Sequence, residues 1–287
     1  MPWICAGLCL DTNPRPLVMG VLNVTPDSFS DGGQFDDADR ALAAAHAMIE
    51  AGADIIDVGG ESSRPGSAPV PETEELRRVA PVLERLIPAC PIPVSIDTSK
   101  PAVARRALQI GARIVNDVGA AEDPAMIQLL AEVPCGYVLM HRKGSPATMQ
   151  AAPSYRDVVA EIHEFLSRRL GELARAGIDP ARVALDPGFG FGKTWEHNRQ
   201  ILLHLPELAT MGRPLLIGLS RKSFVGQITG DPPPHRTAGS LAAETLAMWL
   251  GAGIVRTHDV PSARRAAAAV AAIQTGSIPP IPPKPSH

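Results

Sequence analysis

Along the chain, a short run of Val, Ile and Leu is followed by a longer stretch with helical spacing eight times over. The apolar runs fall at 17–24, 55–59, 94–97, 114–117, 137–141, 183–186, 215–219 and 254–257. They are continuous rather than alternating, as expected of parallel strands covered on both faces. The stretches between them read as helices. Over 38–50, Leu42, Ala45, Met48 and Ile49 share one face, and Gly52 follows as a stop. Pro71, followed by Glu72, Glu74 and Glu75, starts a helix whose positive N-terminal end favours acids in its first turn. A long helix is predicted over 154–176, and Asp179-Pro180 marks the turn after it.

Eight strand–helix alternations predict an α/β fold, a (β/α)8 TIM barrel in a single domain. That domain is expected to span 1–275, with the Pro-rich 276–287 as a disordered tail. A doubly wound sheet would carry a GxGxxG loop after its first strand, but residues 22–33 read LNVTPDSFSDGG. Two connections, 25–37 and 61–71, are longer than the rest and rich in Gly, Pro, Ser or Asp. Long βα loops of this kind usually carry function.

The strand ends are not what packing alone would select. Asn23, Asp57, Asp97, Asn116 with Asp117, His141, Asp186, Ser220, and Arg256 with His258 stand at or just past carboxyl ends. In a barrel these ends converge on one rim, where such folds place their chemistry. Singly, each Asp or Asn also reads as a turn former or helix cap; the set is harder to explain that way. Asp97, Asn116 and Asp186 suit the N–H edge of a flat heterocycle, because a carboxylate accepts two parallel, charge-assisted hydrogen bonds. Asn23, Lys222, Arg256 and His258 suit a phosphate or diphosphate. Cations at a helix start oppose its dipole, so Arg221-Lys222 calls for a reason beyond solvation. Asp57, Asp117 and His141 read equally well as structural.

The 287 residues are 45% apolar and 20% charged, enough to bury a sizeable core. A net charge of -3, with no basic run, argues against a general nucleic-acid or membrane-surface binder and leaves room for a local cationic pocket. No apolar stretch approaches the roughly 18 residues of a membrane span. The opening MPWICAGLCL lacks a basic leader, so a cytoplasmic location is expected. Cys5, Cys9, Cys90 and Cys135 are too scattered for a zinc site and read as reduced, packed thiols. The segment DPGFGFGKT mimics a phosphate-binding P-loop, but only three residues separate Gly188 from Gly192 and Pro187 fills the position where a glycine is needed.

Taken together, LNVTPDSFSDGG (22–33), GGESSRPGS (59–67), SIDTSKP (95–101), VNDV (115–118), LMHRKGSPATMQ (139–150), LDPGFGFGK (185–193), GLSRKSF (218–224) and VRTHDV (255–260) resemble the dihydropteroate synthase family of pterin-binding enzymes. The resemblance runs in order over nearly the whole chain. It implies a transferase of folate biosynthesis that joins 6-hydroxymethyl-7,8-dihydropterin diphosphate to p-aminobenzoate, releasing pyrophosphate with Mg2+ assisting. Position by position, it implies that Asp97, Asn116, Asp186, Lys222, Met140 and Gly218 hold the pterin. Asn23, Arg256 and His258 would bind the diphosphate, with Asn23 as the metal ligand and Asp31 organising metal and leaving group. Phe29, Ser63, Arg64, Pro65, Lys222 and Ser223 would shape the p-aminobenzoate pocket, where sulfonamides compete. The catalytic set is then Asp97, Asp186, Lys222, Arg256, His258 and Asp31.

Departures from the family pattern are few: Ser63 where Thr is frequent, Arg142-Lys143 in LMHRKG, and Thr257 where Val is commoner. A weakly nucleophilic arylamine favours loss of diphosphate before attack, in a site that excludes water. Two other readings compete: a methyltetrahydrofolate-dependent methyltransferase and a non-catalytic pterin-binding paralogue. The first should lack the 22–33 loop and the SRKS and RTH anion residues; the second is disfavoured by Lys222, Arg256 and His258. Members of the family are usually homodimers, and the Ala-rich helices predicted at 238–250 and 263–273 offer a flat packing face.

Overall fold

The computed structural model describes residues 1–25, 34–62, 67–144, 149 and 153–277. Its sheet contains eight parallel strands: β3 (Leu17–Asn23), β4 (Ile55–Gly59), β5 (Val94–Asp97), β6 (Ile114–Asp117), β7 (Gly136–Met140), β8 (Val183–Asp186), β9 (Leu216–Ile217) and β10 (Ile254–Thr257). Their order is β8-β7-β6-β5-β4-β3-β10-β9. The ring is closed between β8 and β9 by a single parallel bridge, Leu185 to Leu215, where the Leu185 N–H also donates to the Pro214 carbonyl at 2.8 Å. This is the expected (β/α)8 barrel, nearly closed, with helices outside it.

Helices α1 (Gln34–Glu50), α2 (Glu72–Leu86), α3 (Pro101–Ile110), α4 (Pro124–Glu132), α5 (Val158–Arg175), α6 (Trp195–Leu203), α7 (Leu205–Ala209), α8 (Ser223–Thr229), α9 (Thr237–Trp249) and α10 (Val260–Thr275) follow the strands. The long helix begins at Val158 rather than 154, because the Asp157 side chain caps it by accepting from the N–H groups of Val159 and Ala160. The seventh predicted strand shrinks from 215–219 to Leu216–Ile217, with Leu215 joined to Leu185 by an isolated bridge.

Outward-facing strand residues such as Val18, Ile56, Val58, Ile96, Val115, Leu139 and Ile217 are buried against the helices in the main core. A second cluster fills the amino end of the barrel: Leu17, Met19, Ile55, Ile114, Val138, Ala184, Leu216 and Ile254. It is plugged by an antiparallel hairpin that the sequence reading missed, β1 (Pro2–Cys5) and β2 (Leu8–Asp11). The two-residue turn Ala6-Gly7 has positive φ at both positions (48 and 82), the geometry that fits the twist of a hairpin. Trp3 and Cys5, two apart and fully buried, point into the barrel, and Trp3 Nε1–H donates to the Arg182 carbonyl at 2.8 Å.

Candidate active site

Side chains two apart on a strand share a face. From the lower-layer residues Ile55, Ile114, Val138, Ala184, Leu216 and Ile254, the next inward positions are therefore Asp57, Asn116, Met140, Asp186, Gly218 and Arg256. Along the inner face the chemistry switches from aliphatic to polar within two residues. Asp97 joins them on β5, in register with Gly59 on one side and Asn116 on the other.

Four of these residues form one bonded cluster. Asp57 Oδ2 accepts from Arg256 Nε at 2.6 Å and from Asn116 Nδ2 at 2.9 Å. Asp97 Oδ2 accepts from Arg256 Nη2 at 2.7 Å. Asp57 is fully buried, and its Oδ1 has no hydrogen-bond partner, leaving an acceptor in the floor of the site. Asp57, one of the strand ends that reads equally well as structural, is thus the hub of the cluster. Arg256, expected among the phosphate-binding residues, bridges two carboxylates of the floor with its guanidinium.

Burial dominates the protonation of the cluster. It pushes Asp97 up to about 7, against the pull of Arg256 and with the carboxylates of Asp57, Glu75 and Asp117 adding to the rise. Burial also raises Asp186, against Lys222 and the Gly188 N–H that donates to its Oδ1 at 2.7 Å. Lys222 is driven down to about 8 by burial, with Asp186 opposing. Burial works against the Arg256 charge too, but Asp57 and Asp97 outweigh it and hold the guanidinium protonated.

Lys222 caps the start of α8; its Nζ donates to the Phe189 carbonyl and lies 4.5 Å from the centre of the Phe191 ring. Phe191 was not among the residues expected in the site. Its signal is the aromatic interleaving of LDPGFGFGK, a motif of the family resemblance. The loop has a construction different from that of a P-loop: a Cβ on Gly188 (φ +70) would lie 1.9 Å from the His141 carbonyl, so that glycine serves close backbone packing. Lys193, the P-loop-like lysine, is buried with its Nζ 3.0 Å from both His141 Nδ1 and the Phe191 carbonyl, away from any anion role.

The remaining expected residues are placed as follows. Met140 is buried and in register with Asp186. Gly218 lies under the site, where a Cβ would meet Arg256 Cβ and Lys222 Nζ at 3.9 Å. Asn23 ends β3 opposite Gly59. Both the backbone N–H and Nδ1 of His258 engage Ser220 Oγ, at 3.2 and 3.0 Å. Ser223 opens α8 and is exposed. Phe29, Asp31, Ser63, Arg64 and Pro65 lie outside the described residues. Asp117 and His141 are engaged with the scaffold: Asp117 accepts from the N–H groups of Gly119 and Ala121 and from the Tyr137 hydroxyl, and His141 Nδ1 lies 3.0 Å from Lys193 Nζ.

Among the described residues no three His, Cys, Asp or Glu side chains gather as a metal site. Mg2+ keeps several waters and takes one or two protein oxygens plus phosphate oxygens. The side-chain oxygen of Asn23 at the rim is suited to such a minor share. The four cysteines are free thiols, and among the described residues no helix is long and apolar enough to cross a membrane.

Comparison with known proteins agrees with this geometry. The family model of pterin binding enzymes matches residues 19–258. The dihydropteroate synthase of Escherichia coli is 46% identical over 260 residues, covering 91% of this chain and 92% of the relative. The structure of Yersinia pestis dihydropteroate synthase with a sulfonamide drug superposes with a TM-score of 0.91 at 45% identity, over 96% of this chain and 100% of that one. The Xanthomonas albilineans enzyme in complex with 7,8-dihydropteroate gives 0.87 at 45% identity, over 96% and 99%. This chain belongs to the pterin-binding enzymes, in the dihydropteroate synthase family.

Proposed function

We propose that this chain joins 6-hydroxymethyl-7,8-dihydropterin diphosphate to p-aminobenzoate, giving 7,8-dihydropteroate and pyrophosphate. The observation that carries this reading is the rim cluster. The acceptors Asp97, Asn116 and Asp186, the last two buried and the first 10% exposed, lie beside two cations, Lys222 and Arg256, so one cavity offers a heterocycle its acceptors and a leaving anion its donors.

The pterin would lie over Asp97, Asn116 and Asp186, with Met140 and Gly218 beneath it and Lys222 at its edge. Charge-assisted hydrogen bonds from its N–H groups would replace part of what Asp97 now receives from Arg256. Arg256, released in part from Asp57 and Asp97, would turn its fork to the diphosphate with His258. Asn23 and Asp31 would hold magnesium on that diphosphate, supplying charge neutralisation at the leaving group. As the C–O bond breaks, Asp97 and Asp186 would stabilise the cationic pterin methylene. The arylamine nitrogen would then form the new C–N bond, its proton passing to solvent or to the departing diphosphate. Phe29, Ser63, Arg64, Pro65 and Ser223 would form the p-aminobenzoate pocket with Lys222, and Phe191 extends it on the evidence of its ring against Lys222.

In this reading the enzyme works in the cytoplasm on small molecules alone, without nucleic acid or membrane, and residues 1–275 act as one domain with 276–287 as its tail. It pairs as a homodimer through α9 and α10, where Leu246, Trp249 and Ile273 are each more than half exposed; solution mass tests this. The reaction is tested by incubating the protein with both substrates, with and without Mg2+. Pyrophosphate release that depends on p-aminobenzoate supports the synthase, and its absence overturns it.

A further inference from the structure

Behind His258 lies a feature with no place in the reaction described so far. A small cavity of about 10 Å³, room for one water, is lined by Ser220, Arg221, Thr237, Ser240, Leu241, Glu244, Thr257 and Asp259. Glu244, on the inner side of α9, is 1% exposed, and its Oε1 has no hydrogen-bond partner. Its Oε2 accepts a long bond from Thr257 Oγ1 at 3.4 Å, and that hydroxyl in turn accepts from the Asp259 N–H at 3.2 Å. Across the same cavity stands Ser220, whose Oγ takes both the N–H and Nδ1 of His258. The Arg221 N–H donates to Ser240 Oγ at 2.9 Å, so the turn before Lys222 is pinned to α9 as well.

A buried carboxyl with an unmet oxygen beside a polar, water-sized space is the arrangement that an ordered water completes. We propose that Glu244 is a positioning residue of the diphosphate subsite: through Thr257 and a water in this cavity it holds Ser220, and with it His258, behind the leaving group. The proposal rests on the reading of His258 as a diphosphate ligand. It also involves Thr257, one of the positions where this sequence departs from the commoner Val.

Glu244 serves this role as the neutral acid. Burial pushes its carboxyl up to about 8, the Thr257 hydroxyl opposes the rise, and the nearby Asp259 carboxylate adds to it. Asp259 reaches the cavity from the start of α10 and Arg221 from the turn after β9; the Arg221 side chain is exposed, and its carbonyl accepts from Arg236. A proton on Glu244 leaves a donor for the cavity water. Loss of that proton would place a buried negative charge behind an anion site. Proton and anion are then linked reciprocally: pyrophosphate favours the protonated form, and ionisation weakens pyrophosphate binding.

The test measures pyrophosphate Kd on the full chain by titration calorimetry, at pH 7 and pH 9, in wild type and Glu244→Gln. Both proteins meet the same ligand titration and keep Lys222, so their ratio isolates Glu244. The wild-type Kd should match that of Glu244→Gln at pH 7 and exceed it by about fivefold or more at pH 9, within the usual range of such coupling. Should Glu244→Gln misfold, Thr257→Val is the second variant. It should weaken pyrophosphate about threefold or more at pH 7 while leaving the Kd of 6-hydroxymethylpterin unchanged. A Kd ratio that is the same at both pH values overturns the proposal, as does an equal loss of pterin and pyrophosphate in Thr257→Val. If wild type binds pyrophosphate yet releases none from substrates, the synthase reading fails while the ratio still decides Glu244.

Discussion

The two ends of this barrel's inner face are built on the same eight strands and serve opposite ends. At the amino end, Leu17, Met19, Ile55, Ile114, Val138, Ala184, Leu216 and Ile254 close around Trp3 and Cys5 in an apolar plug. Two residues further along, the same face carries Asp57, Asn116, Asp186 and Arg256. The lower layer gains from every atom removed from water. The upper layer loses by it, and is held by Arg256 bonding to Asp57 and Asp97 at once, with Asn116 donating to Asp57 and the Gly188 N–H to Asp186. A stable half fixes the strands, which lets the other half keep buried charges and an unmet acceptor ready for a ligand.

Arg256→Ala should break the upper layer most severely. It leaves Asp57 and Asp97 buried without their cation, so we expect a stability loss of about 3–5 kcal/mol and a fall of about 10³-fold or more in kcat/KM. Because Arg256 touches the floor carboxylates, its loss should weaken pterin and pyrophosphate together. His258→Ala should weaken pyrophosphate alone, and calorimetry with each ligand separates the two. Equal, small effects from both variants would dissolve the cluster as a functional unit.

Trp3→Ala is the matching change in the lower layer. It empties a fully buried indole site and removes its bond to the Arg182 carbonyl. Thermal and urea unfolding should show a loss of about 3–5 kcal/mol, with kcat/KM at low temperature changed less than about twofold. A large activity loss in folded Trp3→Ala would join the two ends that the structure separates.

The pH profile sharpens the same contrast. Asp97 ionises near 7, so kcat/KM should rise with pH through that value; it should fall again through about 8 as Lys222 loses its proton. Asp97→Asn should abolish the acid limb and lower kcat/KM about 10²-fold. Stability runs the other way for Asp97: between the ordinary carboxylate range and about 7, the folded state keeps a proton that the unfolded chain has lost. The contribution of Asp97 to stability therefore declines as pH rises across that window. The smallest effect is expected from Arg113→Ala, which removes only the bond from Nη1 to the Ala6 carbonyl of the hairpin turn, 3.0 Å long. It should cost about 1 kcal/mol or less in urea unfolding, with kinetics unchanged.

Much of this contrast was legible beforehand. Five of the eight predicted strands, 55–59, 94–97, 114–117, 183–186 and 254–257, coincide with the observed ones, because a buried parallel strand is an uninterrupted apolar run with polar punctuation. Asp97, Asn116, Asp186 and Arg256 could be singled out because each is the wrong residue for packing at a strand end, and Lys222 because a cation at a helix start opposes the dipole. Others escaped for definite reasons. The alternation of Trp3 and Cys5 spans too few residues to stand out from an apolar opening. Asp57 stayed open between a structural and a catalytic role because nothing local shows which carboxylate an arginine 199 residues later will choose. Phe191 sat inside LDPGFGFGK with nothing local to show that its ring meets Lys222, and Glu244 is unremarkable in a helical run until its neighbours are known.

By itself, then, the sequence determined the eight strands, their parallel character and the polar residues at their carboxyl ends. These depend on spacing along the chain, a property that survives in one dimension. Only the tertiary structure decided that the ring nearly closes through Leu185 and Leu215, that a hairpin plugs one end, and that Arg256 bridges Asp57 and Asp97. It alone also set the protonation of Asp97, Lys222 and Glu244. Pairing and desolvation are properties of neighbours in space, and these neighbours come from distant parts of the chain.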